Sequence, residues 1–397
     1  MQGAGFDAYL VGGCVRDLLL GVQPKDFDVA TSATPEEIRD LFRNARLIGR
    51  RFRLAHVRFG REIIEVATFR GPGNGDAADV DRVVEGGRLT RDNVFGSEKE
   101  DAFRRDFTIN ALMYDPATET IRDHVGGYAD VLDRRLRLIG TPVDRYREDP
   151  VRLLRAIRFV VKLDLTMEPD TAGPVVSMAP LLADIPPARL FDEILKLLMA
   201  GHAWPTYQAL VRHALWPQLF PGLFDDPARP PKLVENALRN TDQRVAEGLP
   251  VTPAFLFAAF LWQRVRGAAE SLIEQGLPPV EALAQAGEDA IVAQARTVAL
   301  HRRFSTIAKE IWCMQPRFHK RRGKRAMRLI NERRFRAAYD FLLLRVDEEP
   351  ELAELAQWWT DVQKVDSDDQ ATMVRATPGS GKKRRRRPRR RKPASAT

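Results

Sequence analysis

Two aspartates flanking a phenylalanine, Asp26-Phe27-Asp28, are the residues of this chain best suited by type and spacing to hold a divalent cation. In an extended strand alternate side chains share a face. Asp26 and Asp28 are therefore expected side by side, with Phe27 turned the other way into the core. Adjacent carboxylates repel unless a cation lies between them, and Mg²⁺ commonly takes one or two carboxylates together with substrate phosphates; the alternative is an exposed D-x-D in a turn, against which stands the neighbouring glycine turn. Just upstream, Gly12-Gly13-Cys14-Val15-Arg16-Asp17 joins an apolar strand to a helix start. Paired glycines let backbone N–H groups approach an anion at a helix N-terminus, where Arg16 could clamp phosphate; a tight turn with a surface arginine is the alternative. Glu65 interrupts the apolar run Ile63–Phe69. It is a candidate third metal ligand, with a solvent-facing strand position as the alternative.

Two arginine-rich clusters follow. Arg104-Arg105-Asp106 stands just before the apolar stretch Phe107–Leu112. Asp106 can join the metal cluster or accept from a ribose hydroxyl, and the arginines can hold phosphates or pair with Asp106. Farther on, Glu148-Asp149-Pro150 opens a helix. Its wheel puts Arg152, Arg155 and Arg158 on one side, with Leu153, Leu154, Ile157, Val160 and Val161 on the other. The stripe either meets a nucleotide's base and phosphates or is a solvated basic face.

The elements that must position these groups are legible in outline. Tyr9-Leu10-Val11 reads as a buried strand, Val15–Leu20 as a helix closed by Gly21, and Phe27–Thr31 as a second strand. Thr34-Pro35-Glu36-Glu37 and Ser97-Glu98-Lys99-Glu100 are capping boxes that open helices. Leu54–Phe59 and Ile63–Phe69 form a hairpin around Gly60, and 71–94 reads as a long polar loop. From about residue 142 the pattern is helical, with segments at 149–164, 187–200, 205–215, 231–247, 253–265, 279–300, 302–314 and 325–346. The residues alone give an N-terminal α/β domain, a long helical region and, after about Asp366, a polar basic tail expected to be disordered.

Charge is unevenly distributed. The 397 residues carry 63 Lys+Arg against 54 Asp+Glu, a net +9. Ten of those cations lie in one run, Lys382, Lys383, Arg384, Arg385, Arg386, Arg387, Arg389, Arg390, Arg391 and Lys392; without them 53 basic and 54 acidic groups remain, a net −1. Net charge therefore describes a tail and does not by itself argue for a nucleic-acid partner of the body. A hydrophobic content of 44% excludes a disordered chain. No apolar run approaches ~18 residues, so no transmembrane helix is expected, and the N-terminus lacks the pattern of a secretory signal. Cys14 and Cys313 stand alone, which excludes a disulfide framework and a cysteine zinc site and fits a cytoplasmic location.

Taken in order, GGCVRD, DFD, RRDFTINAL and EDPVRLLRAIRF resemble the class II nucleotidyltransferase superfamily of tRNA CCA-adding enzymes and bacterial poly(A) polymerases. Residues 46–70, RLIGRRFRLAHVRFGREIIEVATFR, are similar to the poly(A) polymerase branch at nearly every position. Leu89–Gly96 resembles that branch's marker, with Thr90 in place of a leucine. The likeness continues through Asp184–Phe191 and from Lys324-Arg325 to Tyr339-Asp340, and spans roughly residues 8–360. The branch usually carries several dozen residues before the first strand against about eight here, so either the start is misassigned or that extension, with a helix packing on the head, is missing. With six histidines and no His-Asp dipeptide, the phosphohydrolase domain of some CCA-adding enzymes is not expected.

The resemblance implies an α/β head with a small mixed sheet at 1–141, an all-α neck at 142–205, an all-α body and tail at 206–365 and a disordered basic C-terminus at 366–397. It also implies template-independent addition of AMP from ATP to RNA 3′ ends, with two Mg²⁺ ions (Mn²⁺ as a substitute). Asp26, Asp28 and Asp106 would be catalytic, with Glu65 as an additional metal ligand. Gly12, Gly13, Arg16, Arg91, Arg104, Arg105, Asp149, Arg152, Arg155 and Arg158 would bind nucleotide. Lys320, Arg321, Arg322, Lys324, Arg325 and the 382–392 run would bind RNA. Expected partners are mRNA, small regulatory RNA or tRNA 3′ ends and proteins of RNA decay. The alternatives are a CCA-adding enzyme, a non-catalytic RNA-binding protein using its tail, and transfer to a small molecule.

Overall fold

The computed structural model describes residues 1–49, 53–71, 82–85, 88–92 and 94–376; the side chains of residues 82–92, 367, 368, 371 and 376 lie outside that description. The chain divides into two units. The first comprises Met1–Pro230, Leu238–Pro253 and Val292–Leu300; the second comprises Pro231–Ala237, Ala254–Ile291 and the chain from His301 onward.

The first unit opens with the predicted strand–turn–helix: β1 (Ala8–Val11), α1 (Gly13–Leu19) and β2 (Asp28–Thr31). Helix α2 (Pro35–Leu41) begins as its capping box requires, with Thr34 N–H donating to Glu37 Oε2 at 2.7 Å and Pro35 at the first position. Next come β3 (Ala45–Ile48), β4 (Leu54–Phe59) and β5 (Glu62–Thr68), the last two a hairpin around Gly60, whose φ of +62° suits a tight turn. The expected loop over 71–94 contains a two-stranded ribbon, β6 (Arg82–Glu85) with β7 (Arg88–Asp92). A ribbon is held by its backbone ladder and needs no apolar alternation, which is why the polar sequence concealed it. Helix α3 (Glu98–Arg104) follows its Ser97 cap, then β8 (Met113–Asp115), β9 (Thr120–Arg122), α4 (Gly127–Leu132) and β10 (Arg135–Leu136).

Seven strands form one mixed sheet in the order β3-β4-β5-β2-β1-β8-β9. Strand β2 lies between β1, antiparallel, and β5, parallel, so Asp28 stands opposite both Val11 and Glu65. One apolar cluster gathers Tyr9, Val11, Ala30, Phe69, Ala111 and Met113; another gathers Ile38 of α2 with Ala55, Val57 and Val66. This buried packing makes β2 a rigid base for the residues at its start.

The rest is helical. Helices α5 (Pro142–Glu148) and α6 (Val151–Leu163) lead to a short strand β11 (Thr166–Met167) that pairs with β10. Then follow α7 (Pro169–Ala172), α8 (Val175–Met178), α9 (Pro187–Leu198), α10 (Ala203–Arg212), α11 (Trp216–Leu219), α12 (Lys232–Ala246), α13 (Pro253–Glu274), α14 (Pro279–Gln294) and α15 (Arg302–Phe318). The helix expected over 325–346 is two, α16 (Lys324–Ile330) and α17 (Phe335–Arg345). At the break Asn331 donates its side-chain amide to the Met327 carbonyl at 2.9 Å, offering the backbone an alternative to continuing the helix. After α18 (Ala353–Val362), the region expected to be disordered from 366 begins with a further helix, α19 (Ser367–Ala376). Val374 anchors α19, 1% exposed in a cluster with Phe318 and Trp359. The sequence offered one valine and one methionine there, too weak a pattern to read as an amphipathic face. Residues 377–397, including the 382–392 run, lie outside the described residues. Among the described residues no helix is long and apolar enough to cross a membrane.

Candidate active site

Strand β2 starts at Asp28, so Asp26 and Phe27 belong to the approach rather than to the strand. Alternation therefore does not govern them. Phe27 does not enter the core as expected: it is 37% exposed. Asp28 and Glu65 are register partners on parallel strands and share a face of the sheet. Burial pushes the Asp28 carboxyl up, Glu65 and Asp26 push it further, and Arg105 opposes them. Glu65 is tied outward, its Oε1 3.2 Å from His56 Nε2. Among the described residues no three His, Cys, Asp or Glu side chains converge to hold an ion. The donors on offer are the Asp26 and Asp28 carboxylates, with the Glu65 charge on the adjoining strand. Hard oxygen donors whose mutual repulsion raises a pKa fit a divalent cation of the Mg²⁺ type.

The glycine turn has a strict backbone requirement. Gly12 adopts φ +73° and ψ −125°, and a Cβ there would lie 3.3 Å from Arg105 Nη1. Its N–H donates to the Leu112 carbonyl at 3.2 Å, pinning the turn to the segment before β8. Helix α1 starts at Gly13, and Arg16 lies within it, 4% exposed. The Arg16 guanidinium is already engaged, with Nε and Nη2 on Asp17 Oδ1 at 2.8 and 2.6 Å and Nη1 on Asn110 Oδ1. An open phosphate clamp was expected; Arg16 is instead part of a buried network.

Asn110 is the centre of that network. It accepts from Arg16, donates through Nδ2 to Asp106 Oδ1 at 3.1 Å, and its carbonyl accepts from Arg105 Nη1 at 3.3 Å. Asp106 Oδ2 takes both Nε and Nη2 of Arg155, at 2.7 and 2.6 Å, while Oδ1 also accepts from the Phe107 N–H at 2.8 Å. Burial alone would raise the Asp106 pKa; the Arg155 charge and the three donors bring it below the usual carboxylate value. Arg105 pairs with Asp101 at 2.9 Å, and Arg104 Nη1 donates to the Gly71 carbonyl at 2.6 Å.

Helix α6 presents its arginine stripe as expected, but not to open water. Arg16, Arg155 and Arg158 all stand over the ring of Phe159, at 5.1, 5.5 and 5.0 Å from its centroid. Arg158 makes no hydrogen bond or ion pair among the described residues, and its Nε is buried without a partner. Arg152 Nη1 is held by Glu148 Oε2 at 2.8 Å and by the Arg145 carbonyl at 2.7 Å. Asp149 Oδ2 accepts from Arg189 Nη2 of α9 at 2.8 Å.

Sequence reasoning missed Asn110, Arg145, Phe159 and Arg189, and gave Glu148 no partner. The i,i+4 spacing of Glu148 with Arg152 and of Asp106 with Asn110 carried a usable signal. Nothing local pointed to Arg189.

The head of the chain, residues 8–137, matches the Poly A polymerase head domain profile. Residues 164–226 match the probable RNA and SrmB-binding site of polymerase A, and residues 275–392 the polymerase A arginine-rich C-terminus. Poly(A) polymerase I of Escherichia coli is 50% identical over 402 residues, covering 98% of this chain and 86% of the relative. The chain belongs to the poly(A) polymerase I family.

The CCA-adding enzyme of Streptococcus suis is 38% identical over 200 residues, 50% of this chain and 47% of its own. The crystal structure of Bacillus stearothermophilus CCA-adding enzyme in complex with CTP aligns with a TM-score of 0.57 at 26% identity, covering 96% of this chain and 86% of that one. The poly(A) polymerase I family and the CCA-adding enzymes thus share an architecture: a mixed-sheet head followed by helices.

In this member of the poly(A) polymerase I family, the second unit carries the 320–325 cluster around the start of α16. Lys320, Arg322, Lys324 and Arg325 are exposed, and Arg321 pairs with Glu354 at 2.9 Å. Arg91 lies on β7, with its side chain outside the described residues, as are Lys382 to Lys392.

Proposed function

We propose that the chain is a polynucleotide adenylyltransferase that adds AMP from ATP to RNA 3′ ends without a template. The observation that carries this is the 50% identity to the Escherichia coli poly(A) polymerase I over 98% of the chain, against half of it for the Streptococcus suis CCA-adding enzyme. In the reaction the primer's 3′-oxygen bonds to the α-phosphorus of ATP. The bond from that phosphorus to the β-phosphate oxygen breaks, pyrophosphate leaves, and the hydroxyl proton is released.

Asp26 and Asp28 would hold two Mg²⁺ ions, or Mn²⁺ in their place, which would supply acidification of the 3′-hydroxyl and neutralisation of the leaving pyrophosphate. Glu65 adds negative charge to the same face. The Gly12-Gly13 turn brings backbone close to the triphosphate. Arg158, which makes no hydrogen bond or ion pair among the described residues and stands over the Phe159 ring, is a guanidinium left to take a phosphate. Arg16 and Arg105 brace the turn through Asn110, and Arg104 braces the Gly71 backbone. Asp106 orients Arg155, its two oxygens already taken by four protein donors. Asp149 and Arg152 read the base edge, their donors and acceptors fixed by Arg189 and Glu148. Arg91 is assigned to the nucleotide on sequence grounds.

The proposed working parts are the head at 1–141, the neck at 142–205, the body and tail at 206–365, and the basic end at 366–397. The 320–325 cluster and the 382–392 run hold RNA phosphates. RNA 3′ ends of messenger, small regulatory and transfer RNA are the proposed substrates, RNA-decay proteins the proposed associates, and the cytoplasm the site of action. The test is incorporation from each single nucleoside triphosphate on a generic RNA primer. Long ATP-only products are expected; CMP added to tRNA lacking CCA would overturn the assignment in favour of a CCA-adding enzyme.

A further inference from the structure

Strand β2 divides the catalytic face of the head sheet into two sides. On the β1 side lie the parts proposed to hold the triphosphate: the Gly12-Gly13 turn after β1, helix α1, and the segment before β8 that the Gly12 N–H reaches. On the other side β5, β4 and the edge strand β3 follow in that order. Register partners share a face of a sheet. Asp28 pairs with Glu65, Glu65 with His56, and His56 with Arg46, so one row of side chains runs from the proposed metal pair to the sheet edge. Arg58, two residues beyond His56 on β4, and its register partner Ile63 on β5 stand on the same face.

That face is open here. Ala55, Val57 and Val66 turn to the opposite side, where they are buried with Ile38 of α2. On the near side Ile63 is 45% exposed, and Arg46 and Arg58 are exposed. Neither guanidinium makes a hydrogen bond or ion pair among the described residues. Glu65, the other carboxylate of the row, is held by His56 at 3.2 Å. A strand spacing of about 4.8 Å sets β4, which carries Arg58, about 10 Å from β2, and β3, which carries Arg46, about 14 Å from it. Two unpaired guanidiniums thus lie along a line that leads away from the proposed metal pair. Arginine in such a setting is suited to phosphate, which its planar fork matches.

The chemistry decides which side the primer takes. In phosphoryl transfer the attacking and leaving oxygens lie roughly in line, on opposite sides of the phosphorus. Pyrophosphate held on the β1 side of β2 requires the 3′-oxygen to arrive from the β5 side. We propose that the open face of β5, β4 and β3 is the track for the RNA primer, with Arg58 and Arg46 taking backbone phosphates upstream of the 3′ end and Ile63 forming an apolar floor beneath a base. The proposal rests on the adenylyltransferase reading and deepens it. Phosphate contacts position a strand without reading its sequence. That suits an enzyme that must accept 3′ ends of varied sequence before it extends its own product.

The test uses the full chain and an oligoadenylate primer without ATP at fixed low Mg²⁺, with binding read by fluorescence anisotropy across a salt series. Arg46→Gln with Arg58→Gln should weaken the primer several-fold and lower the slope of log K against log salt by about 1.4, the value for two phosphate contacts on a single strand. Ile63→Lys adds a cation to the same face and should raise the slope by about 0.7, a gain that a misfolded head would not produce. The Kd for ATP without primer should not move in either case. Arg43→Gln with Lys99→Gln removes the same charge from exposed positions elsewhere on the head and should leave the slope within error. A slope unmoved by the first two variants, or lowered as much by the control pair, overturns the track. If the parent protein adds no AMP to saturating primer, the adenylyltransferase reading fails instead, whatever the binding data show.

Discussion

Arg155 of α6 grips a single oxygen of Asp106 with two nitrogens, Nε at 2.7 Å and Nη2 at 2.6 Å. The other oxygen is occupied by the Phe107 N–H and the Asn110 amide. Asp106 therefore meets substrate with its acceptors largely filled. Its foremost effect is to fix an arginine of the helical region against the head.

Asp106→Ala should destabilise the protein by about 2 kcal/mol, measured by urea unfolding. Breaking a fully buried pair costs about 3–5 kcal/mol; the lower figure allows for Arg155 keeping 30% of its side chain in solvent. The folded Asp106 pKa lies below the unfolded value of 3.8, so the stabilising contribution is complete above 3.8 and is lost only as pH falls through the folded pKa. The parent–variant difference should therefore be constant from neutral pH to about 5 and shrink in stronger acid.

Asp28→Asn should abolish AMP incorporation while leaving RNA binding near normal. It should also raise the melting temperature of the metal-free protein. Burial with Glu65 and Asp26 raises the Asp28 pKa, so the charged form opposes folding at neutral pH. A raised carboxylate pKa means stability is lost as pH climbs from the unfolded value through the folded one. The variant's advantage should thus be full above the folded pKa and vanish below 3.8, read by thermal melts across that range. Near-normal turnover in Asp28→Asn would sink the metal assignment.

Gly12→Ala places a side chain at φ +73° and a Cβ 3.3 Å from Arg105 Nη1. Strain of this kind costs about 1–3 kcal/mol. The turn supports the triphosphate, so the KM for ATP should rise several-fold while the Kd for RNA stays within error. Unchanged ATP kinetics would show that the turn is structural only.

Base choice should depend on residues that never touch the base. Glu148→Ala releases Arg152 Nη1, and Arg189→Ala releases Asp149 Oδ2. Glu148→Ala loses two charge-assisted hydrogen bonds, from Arg145 and Arg152, and Arg189→Ala loses one, each of about 1.5–3 kcal/mol. Each variant should lower the ATP-over-CTP ratio of kcat/KM roughly tenfold, measured by single-nucleotide incorporation. A preserved ratio with a uniformly lower rate would assign these pairs to stability alone.

Deleting residues 377–397 should weaken RNA binding and flatten its salt dependence, by up to about 7 in the log–log slope for ten cations on a single strand. ATP use on a short primer should be spared. Loss of catalysis in the truncated protein would mean that the basic run contributes more than electrostatic attraction.

Much of this was legible in the sequence because the signals are local. A capping box acts within four residues, so Thr34 and Ser97 announced α2 and α3. Helical periodicity placed the α6 arginines on one face. Four short motifs in fixed order identified the superfamily. The tertiary structure decided what depends on distant partners. Whether Phe27 is buried depends on where β2 begins, and its pairing with β1 and β5 starts the strand at Asp28. Whether Arg16 is a free clamp depends on Asn110, 94 residues away in the chain, and whether Asp149 is fixed depends on Arg189, 40 residues on. Hydrogen bonds and ion pairs act over a few ångströms whatever the chain separation. Residue types and spacing could therefore name the chemistry, but the folded chain assigned Arg105, Arg152 and Arg155 their carboxylates and left the Arg158 Nε buried without a partner.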